Sequence, residues 1–225
     1  FIDSTAADFA TPIGRILFYA EFPLPLGSTF GLDMADTLKY PVLLAKERLP
    51  NFEPPYETWD PAWASGWAGG AVPNDIVDGA YLSKYPLHNF SQRIRWRVHS
   101  QWWNIPWIRE LEPQPIVYLN PIDAANAQGG PVRDGDVVTI YNDRGSYRGT
   151  VRLTPGLRPG VIDAPRGWQR WQYDECYGEK AGYALEAGAK DAGSCNDVTS
   201  NRAHAFSACQ AFFDARVQIK KITKS

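Results

Sequence analysis

Short apolar stretches separated by turn residues fill most of the chain after residue 85. Alternating or continuous apolar positions bounded by Gly, Pro, Asn and Asp are typical of β-strands. By this criterion, strands are predicted at residues 86–91, 114–119, 137–141, 146–153, 160–164 and 212–222. The second half of the chain is therefore predicted to be a mainly β body whose strands are joined by tight turns.

Two polar segments are predicted to be turns. Asn142-Asp143-Arg144-Gly145 lies between the third and fourth predicted strands, where Asn and Gly suit a hairpin turn. Asp134-Gly135-Asp136 is interpreted in the same way. We expect Asp143 and Arg144 to be exposed, and neither segment is predicted to be a ligand site.

One short helix is predicted to follow the strand at 114–119. Asn120 can cap the helix, Pro121 suits the first helical position, and the acid at Asp123 favours the positive end of the helix dipole. The helix is expected to end near residues 128–129. Residues 166–196 are rich in glycine and are predicted to be loop-like. The lysines close to the C-terminus, at 220, 221 and 224, are interpreted as a solvated tail.

The first 84 residues give a different pattern. A short strand is predicted at 15–20, after which prolines recur and apolar periodicity is poor through residue 84. A stretch this long and irregular is uncommon inside a compact domain unless it wraps other protein. Residues 1–84 are therefore predicted to form a strand and an arm lying on a partner domain, with residues 85–225 as a separate domain.

Composition excludes several classes of protein. The chain has 23 basic and 25 acidic residues, a formal charge of −2, which argues against a nucleic-acid binder. It contains no apolar run long enough to predict insertion into a membrane. Cys176, Cys195 and Cys209 lack CxxC spacing and are interpreted as ordinary thiols. The histidines at 88, 99 and 204 show no metal-ligand spacing, so no metal ligand is predicted.

The segment from Arg95 to Asn104, with the sequence RWRVHSQWWN, interleaves cations, hydrogen-bond donors and aromatic rings. This mixture suits a flat heteroaromatic ligand that carries phosphate, because Arg can bind phosphate oxygens with two N–H groups and Trp can pack on ring faces. An amphipathic strand with Trp in the core explains it equally simply, and composition alone favours that reading. At least two of Trp102, Trp103 and Trp107 are expected in the core.

Four blocks of the sequence together resemble a known domain. They are residues 11–21, 85–107, 119–168 and 193–201. In this order they are similar to the C-terminal cofactor-binding domain of the dimethyl sulfoxide reductase family of molybdopterin oxidoreductases. The third block carries the most matches, at Asn120, Pro121, Asp123, Ala124, Asp134, Gly135, Asp136, Asn142, Arg144 and Gly145.

The resemblance implies a fold and a cofactor. The fold is a six-stranded double-psi β-barrel with short helices, preceded by the irregular arm. The cofactor is molybdenum or tungsten bis(molybdopterin guanine dinucleotide), which this domain covers from one side. The metal ligand and any iron–sulfur cluster belong to earlier domains in this family. The implied partners are an iron–sulfur electron-transfer subunit together with the remainder of the catalytic subunit, and this chain alone is not expected to be catalytic.

The resemblance also implies which residues contact the cofactor. Residues 97–101 resemble the loop that binds the pterin and the pyrophosphate, and residues 166–168 resemble a turn beside a dinucleotide. Asn196 resembles an Asn that binds a guanine or pterin edge, whereas Asn201 stands where the family often has an acid. The implied cofactor-binding residues are Arg97, His99, Ser100, Gln101, Trp102, Asn104, Arg166, Gly167, Trp168, Asn196 and Asn201, and Gln210, Phe213 and Asp214 are expected on the same side.

Two alternatives remain open at this point. The first is a stand-alone double-psi barrel that binds a protein partner without cofactor, since such folds host unrelated functions. The second is a small self-contained enzyme, such as a decarboxylase, that uses one of the Gly-Ser pairs at 27–28, 145–146 or 193–194. The chain begins with Phe1 and shows no signal peptide, so we expect a C-terminal piece of a longer prokaryotic protein of the cytoplasm or periplasm.

Overall fold

A computed structural model describes residues 57, 83–187, 189, 191–199 and 215–222. The predicted strand at 15–20 and the arm lie outside the described residues, apart from Glu57, Ser83 and Lys84. Seven further residues named above also lie outside them: Asn201, His204, Cys209, Gln210, Phe213, Asp214 and Lys224.

Six strands form the body of the described chain. They are β1 (Leu87–Phe90), β2 (Ile116–Leu119), β3 (Val137–Tyr141), β4 (Ser146–Leu153), β5 (Val161–Asp163) and β6 (Ala215–Lys221). All six predicted strands are confirmed, and the bounds of β3 and β4 are those expected from the alternation of apolar residues and the turn between them.

The strands close into a barrel in the order β1-β5-β2-β4-β3-β6. Two neighbouring pairs, β1 with β5 and β2 with β4, are parallel. The other pairs are antiparallel, including the predicted β3–β4 hairpin, in which Tyr141 lies opposite Ser146. The predicted fold class, a mainly β six-stranded double-psi barrel, is confirmed.

The barrel is filled by apolar residues at alternate strand positions, as a closed sheet requires. The most deeply buried are aliphatic side chains that come from several strands and an aromatic ring from β4. They are Val117, Leu119, Val138, Ile140, Tyr147, Ile162, Val217 and Ile219, each at most 1 % exposed.

Among the described residues, three short helices connect the strands: α1 (Pro106–Leu111), α2 (Pro121–Ala125) and α3 (Arg170–Tyr177). The predicted start of α2 is confirmed, since the Asn120 side chain accepts a hydrogen bond of 2.8 Å from the Ile122 N–H. The helix ends sooner than expected, at Ala125. No helix in the described part of the chain is long and apolar enough to cross a membrane.

The prediction that residues 166–196 are loop-like is wrong, because they contain α3 and two 3-10 turns, Glu179–Ala181 and Cys195–Val198. The α3 sequence RWQYDECY has no aliphatic stripe to indicate a helix. Gln169 and Gln172 instead cap its start reciprocally, and burial of Tyr173 and Tyr177 holds it on the barrel.

The interpretation of the C-terminal lysines as a solvated tail is also wrong for the two that are described. Lys220 and Lys221 belong to β6. Lys221 forms an ion pair of 2.7 Å with Asp136, and Lys220 lies 3.3 Å from Glu186. The strand pairing with β3 fixes both side chains on the barrel surface.

Candidate functional site

The site lies where the parallel strands β1 and β5 end. Beyond the strands, the two segments remain hydrogen-bonded: the Ala164 N–H donates to Phe90 O, and the Arg166 N–H donates to Gln92 O, both at 3.0 Å. The Gln92 N–H in turn donates to the Asp163 carboxylate at 3.1 Å. Because parallel strands end at the same edge, the chain after β1 and the chain after β5 emerge side by side.

This pairing places Gly167 directly against the backbone of His99. A methyl group added at Gly167 would lie 2.8 Å from the carbonyl carbon and oxygen of His99. Gly167 has a φ of +103°, and His99 has a φ of +51°, a region that side-chain-bearing residues seldom adopt. The predicted loop at 97–101 and the predicted turn at 166–168 are therefore brought together, with a contact that only glycine permits.

Arg97 holds these two segments together. Its Nη1 donates hydrogen bonds of 2.5 Å to the carbonyls of both His99 and Gly167. Its guanidinium lies 4.4 Å from the ring centre of Trp168, and its Nε lies 3.4 Å from the Glu112 carboxylate. Burial lowers the pKa of Arg97 and raises the pKa of Glu112, and the attraction between the two opposes both shifts.

A cavity of about 140 Å³ opens beside Arg97. Its lining contains three arginines, since Arg93 and Arg166 join Arg97 there, together with Ile94, Val98 and His99. The Arg97 Nη2 is buried and has no hydrogen-bond partner among the described residues. A buried N–H donor is normally satisfied, so this unpaired donor is unusual. The Arg97 side chain has no exposed surface, so it lies beneath the cavity rather than in it. A lining rich in arginine fits the phosphate groups of a dinucleotide.

The remaining predicted residues of the loop line its surface. His99, Gln101, Trp102 and Asn104 are exposed. Ser100 is half-buried and accepts a hydrogen bond of 2.8 Å from the Gln169 side chain. The loop thus exposes polar side chains and the Trp102 indole at the surface, while Arg97 holds its backbone at His99.

The expectation that at least two of Trp102, Trp103 and Trp107 lie in the core is wrong. Only Trp103 is buried, and it packs edge-on against Trp168 and Trp171. Trp102 and Trp107 are more than half exposed. Trp102 has a φ of +65°, and Trp107 lies on the outer side of α1, so neither ring turns inward.

Trp168 is placed beneath the loop rather than at its surface. It is 5 % exposed, with its ring between Arg97 and Trp103. In the described chain, this ring supports the arginine that lines the cavity. Its predicted contact with a ligand is not tested by this placement and stays a prediction.

Asn196 is exposed and lies on the 3-10 turn Cys195–Val198, which begins at the capping residue Ser194. This turn is tied to α3, because Arg170 forms ion pairs with Asp191 at 2.6 Å and Asp197 at 2.7 Å. Gln169, the residue before Arg170, is the residue that bonds Ser100. The structure thus links the Asn196 turn to the 97–101 loop through the start of α3.

Sequence reasoning did not identify Arg93, Gln169, Arg170 or Glu112 as part of this region. Arg93 had a signal, since it alternates with Arg95 and Arg97 in the same segment. The other three act through partners that are distant in sequence, such as Asp197 for Arg170. Spacing along the chain gives no indication of such pairs.

Asp163 is a buried acid at the end of β5, where the chain enters the site. It is 5 % exposed. Burial raises its pKa from 3.8 to about 6, and the hydrogen bond from Gln92 N–H opposes this shift only in part. The carboxyl that accepts the Gln92 N–H therefore changes charge near pH 6.

Comparison with known proteins identifies the class. Residues 87–215, more than half of the chain, match the Molydopterin dinucleotide binding domain family. The chain belongs to this family, and the resemblance seen in its sequence is confirmed. It is a molybdopterin dinucleotide-binding domain homologous to dimethyl sulfoxide reductase family catalytic subunits.

Individual relatives support this class. The chain is 30% identical over 144 residues to a putative dimethyl sulfoxide reductase catalytic subunit of Halobacterium salinarum, covering 64% of this chain and 15% of that protein. It is 26% identical over 223 residues to dimethyl sulfoxide reductase DmsA of Escherichia coli, covering 98% of this chain and 22% of that protein. The chain thus spans less than a quarter of the length of these relatives.

A solved structure shares the fold. Acetylene hydratase from Pelobacter acetylenicus superposes with a TM-score of 0.57 at 19% identity, covering 99% of this chain and 25% of that one. At this identity the likeness concerns the fold alone. It agrees with the closed barrel described above.

Proposed function

We propose that this domain binds the phosphates and pterins of a molybdenum or tungsten bis(molybdopterin guanine dinucleotide) cofactor, and thereby completes the active site of an oxidoreductase. The observation that carries the proposal is the cavity at Arg97. Arg93 and Arg166 line it beside Arg97, whose side chain is buried and has one N–H donor without a partner among the described residues. Family membership supports molybdopterin as the ligand.

Each part of the site has a distinct role in this proposal. Arg93 and Arg166 bind phosphate oxygens, because guanidinium groups hold such anions through paired N–H donors. Arg97 supports them from beneath by holding the backbone of His99 and Gly167. The exposed loop residues His99 and Gln101 bind the heteroatoms of the pterin edge. Ser100, Trp102 and Asn104 complete that surface. Asn196 binds a guanine or pterin edge from the neighbouring turn.

The chemistry itself belongs to the cofactor, which transfers electrons or an oxygen atom when bound. The residues of this chain bind it, orient it and exclude water from one side. The protein ligand to the metal, any iron–sulfur cluster and an electron-transfer subunit belong to other parts of the assembly in this proposal. In this proposal the enzyme carries out a redox or oxygen-atom transfer reaction, of the kind named for its relatives, a dimethyl sulfoxide reductase and a chlorate reductase.

The test uses the full-length enzyme that contains this sequence. Arg93→Ala and Arg166→Ala each remove a guanidinium from the cavity, whereas Arg158→Ala removes an exposed arginine from the turn between β4 and β5 and serves as the matched control. Metal, pterin and nucleotide are measured for each mole of protein after dilution. A lost charge-assisted hydrogen bond is expected to weaken retention by roughly tenfold or more.

The outcomes are distinct. Reduced cofactor in both cavity variants, with normal content in the control, supports the proposal. Normal content in all three variants overturns the assignment of the cavity to the cofactor.

A further inference from the structure

The turn 142–145 does more than join β3 to β4. Asn142 is buried, and its side-chain oxygen accepts hydrogen bonds from the N–H groups of Arg144 at 3.0 Å and Gly145 at 3.4 Å. Its side-chain nitrogen donates to the carbonyl of Val198 at 2.8 Å and to that of Arg216 at 3.0 Å. The expectation of a simple hairpin turn is confirmed for its shape, but its side chains also bind two other segments.

Arg144 makes the second connection to the same place. Its Nε donates to the Val198 carbonyl at 2.9 Å, so this one oxygen accepts hydrogen bonds from both Asn142 and Arg144. Its Nη2 donates to the carboxylate of Glu57, whose side chain is 8 % exposed. Glu57 also accepts a hydrogen bond from the backbone N–H of Arg216. Arg144 is exposed, as expected, but its guanidinium is bound to two other segments of the chain.

The two turns also touch directly. A methyl group added at Gly145 would lie 2.8 Å from the carbonyl oxygen of Asp197 and 3.0 Å from its Cβ. No side chain larger than hydrogen fits between them. The 3-10 turn Cys195–Val198 therefore rests on the β3–β4 turn, held at Val198 and packed at Asp197.

We propose that Arg144 is a positioning residue, which fixes the Cys195–Val198 turn by joining the Val198 carbonyl to the buried Glu57 carboxylate, and thereby orients Asn196 for the ligand. The inference rests on the proposed function, because it takes Asn196 as a ligand contact. Arg144 itself need not touch the ligand. Its guanidinium is occupied by Val198 and Glu57.

Geometry explains why an arginine is needed at this position. The Nε and Nη2 of one rigid guanidinium reach two acceptors on different segments at once. A lysine offers one compact ammonium, which can satisfy Glu57 or Val198 but cannot hold both in the same arrangement. Arg144→Lys therefore keeps a cation beside the buried carboxylate and preserves folding, while the link to the Asn196 turn is weakened.

The first experiment measures hydrogen–deuterium exchange of the full-length enzyme. Arg144→Lys is compared with wild type and with Arg152→Ala, a control at an exposed arginine of β4. We expect exchange in residues 193–199 to rise roughly tenfold in Arg144→Lys, the effect of weakening a hydrogen bond to a charged group, while β3 keeps its protection. Unchanged exchange in 193–199 overturns the inference.

The second experiment tests the coupling to Asn196 through cofactor retention. Asn196→Ala, Arg144→Lys and the double variant are purified and assayed for nucleotide and pterin. If Arg144 acts by orienting Asn196, each single variant loses cofactor and the double variant loses no more than Asn196→Ala alone. Losses that multiply in the double variant, or full retention in Arg144→Lys, overturn the inference.

These outcomes separate the inference from the proposed function. If Asn196→Ala and Arg144→Lys both retain cofactor fully while Arg93→Ala and Arg166→Ala lose it, the positioning role fails and the proposed function stands. If all four variants retain it, both fail.

Discussion

Replacing Gly167 by Ala tests the contact on which the candidate site is built. The added methyl group would lie 2.8 Å from the His99 carbonyl atoms and 2.9 Å from its Cα, all of them backbone atoms that cannot rotate away. Either the 97–101 loop moves or the turn at 166–168 does. Both movements break the pair of hydrogen bonds that Arg97 Nη1 makes with His99 and Gly167.

Two costs contribute to the effect, and a control separates them. A residue with a side chain pays about 1–2 kcal/mol for the positive φ at this position. Overpacking against fixed backbone costs about 1–3 kcal/mol more. Gly130 has a similar φ of +110° but nothing within 4 Å of the added methyl, so Gly130→Ala carries the first cost without the second.

The assay is chemical unfolding of the full-length enzyme, with cofactor content measured on the same samples. We expect Gly167→Ala to be less stable than Gly130→Ala by about 1–3 kcal/mol and to lose cofactor, whereas Gly130→Ala keeps it. Equal stability and equal cofactor content in the two variants would refute the close approach of the loop and the turn.

Two further predictions concern buried polar groups. Burial raises the pKa of Asp163 from 3.8 to about 6. Between about pH 4 and pH 6, the folded chain therefore keeps a proton on this carboxyl that the unfolded chain has released. The free energy of unfolding contributed by Asp163 falls as pH rises through this range. Asp163→Asn should therefore be more stable than wild type at pH 8 by roughly 1–3 kcal/mol, whereas the two proteins should be nearly equal in stability at pH 4. Thermal unfolding at both pH values measures this. The same difference in stability at pH 4 and pH 8 would contradict the prediction. Asn142→Ala removes a buried amide with four hydrogen bonds and should lower the free energy of unfolding by about 2–4 kcal/mol, measured with denaturant. Asn126→Ala, at an exposed helix end, should lower it by less than about 1 kcal/mol. Similar losses of stability in the two variants would contradict the role assigned to Asn142.

The barrel could be predicted from the sequence because its signals are local. The bounds of β3 and β4 follow from alternating apolar residues and from the turn at 142–145 between them. The start of α2 follows from Asn120 and Pro121, which act within one helical turn. Helix α3 could not be predicted in this way, since its stability comes from Tyr173 and Tyr177 packing on the barrel.

The segments that form the site could be predicted from the sequence, but the side-chain contacts that join them could not. The resemblance brought the 97–101 loop and residues 166–168 into one hypothesis, and the structure places them together. The clamp by Arg97 depends on Gly167, which lies 70 positions away. The link from Arg144 to Val198 spans 54 positions. Partners at such separations are set by strand order, which spacing along the chain does not give.

The most direct test of the account is anaerobic purification of the native protein that carries this sequence, with metal, pterin and nucleotide measured on one fraction. We expect molybdenum or tungsten, oxidised-pterin fluorescence, and guanosine monophosphate released on hydrolysis, with two nucleotides for each metal in a bis form. A folded protein with neither metal nor pterin would contradict the account and would leave a barrel that binds a protein partner as the function to pursue.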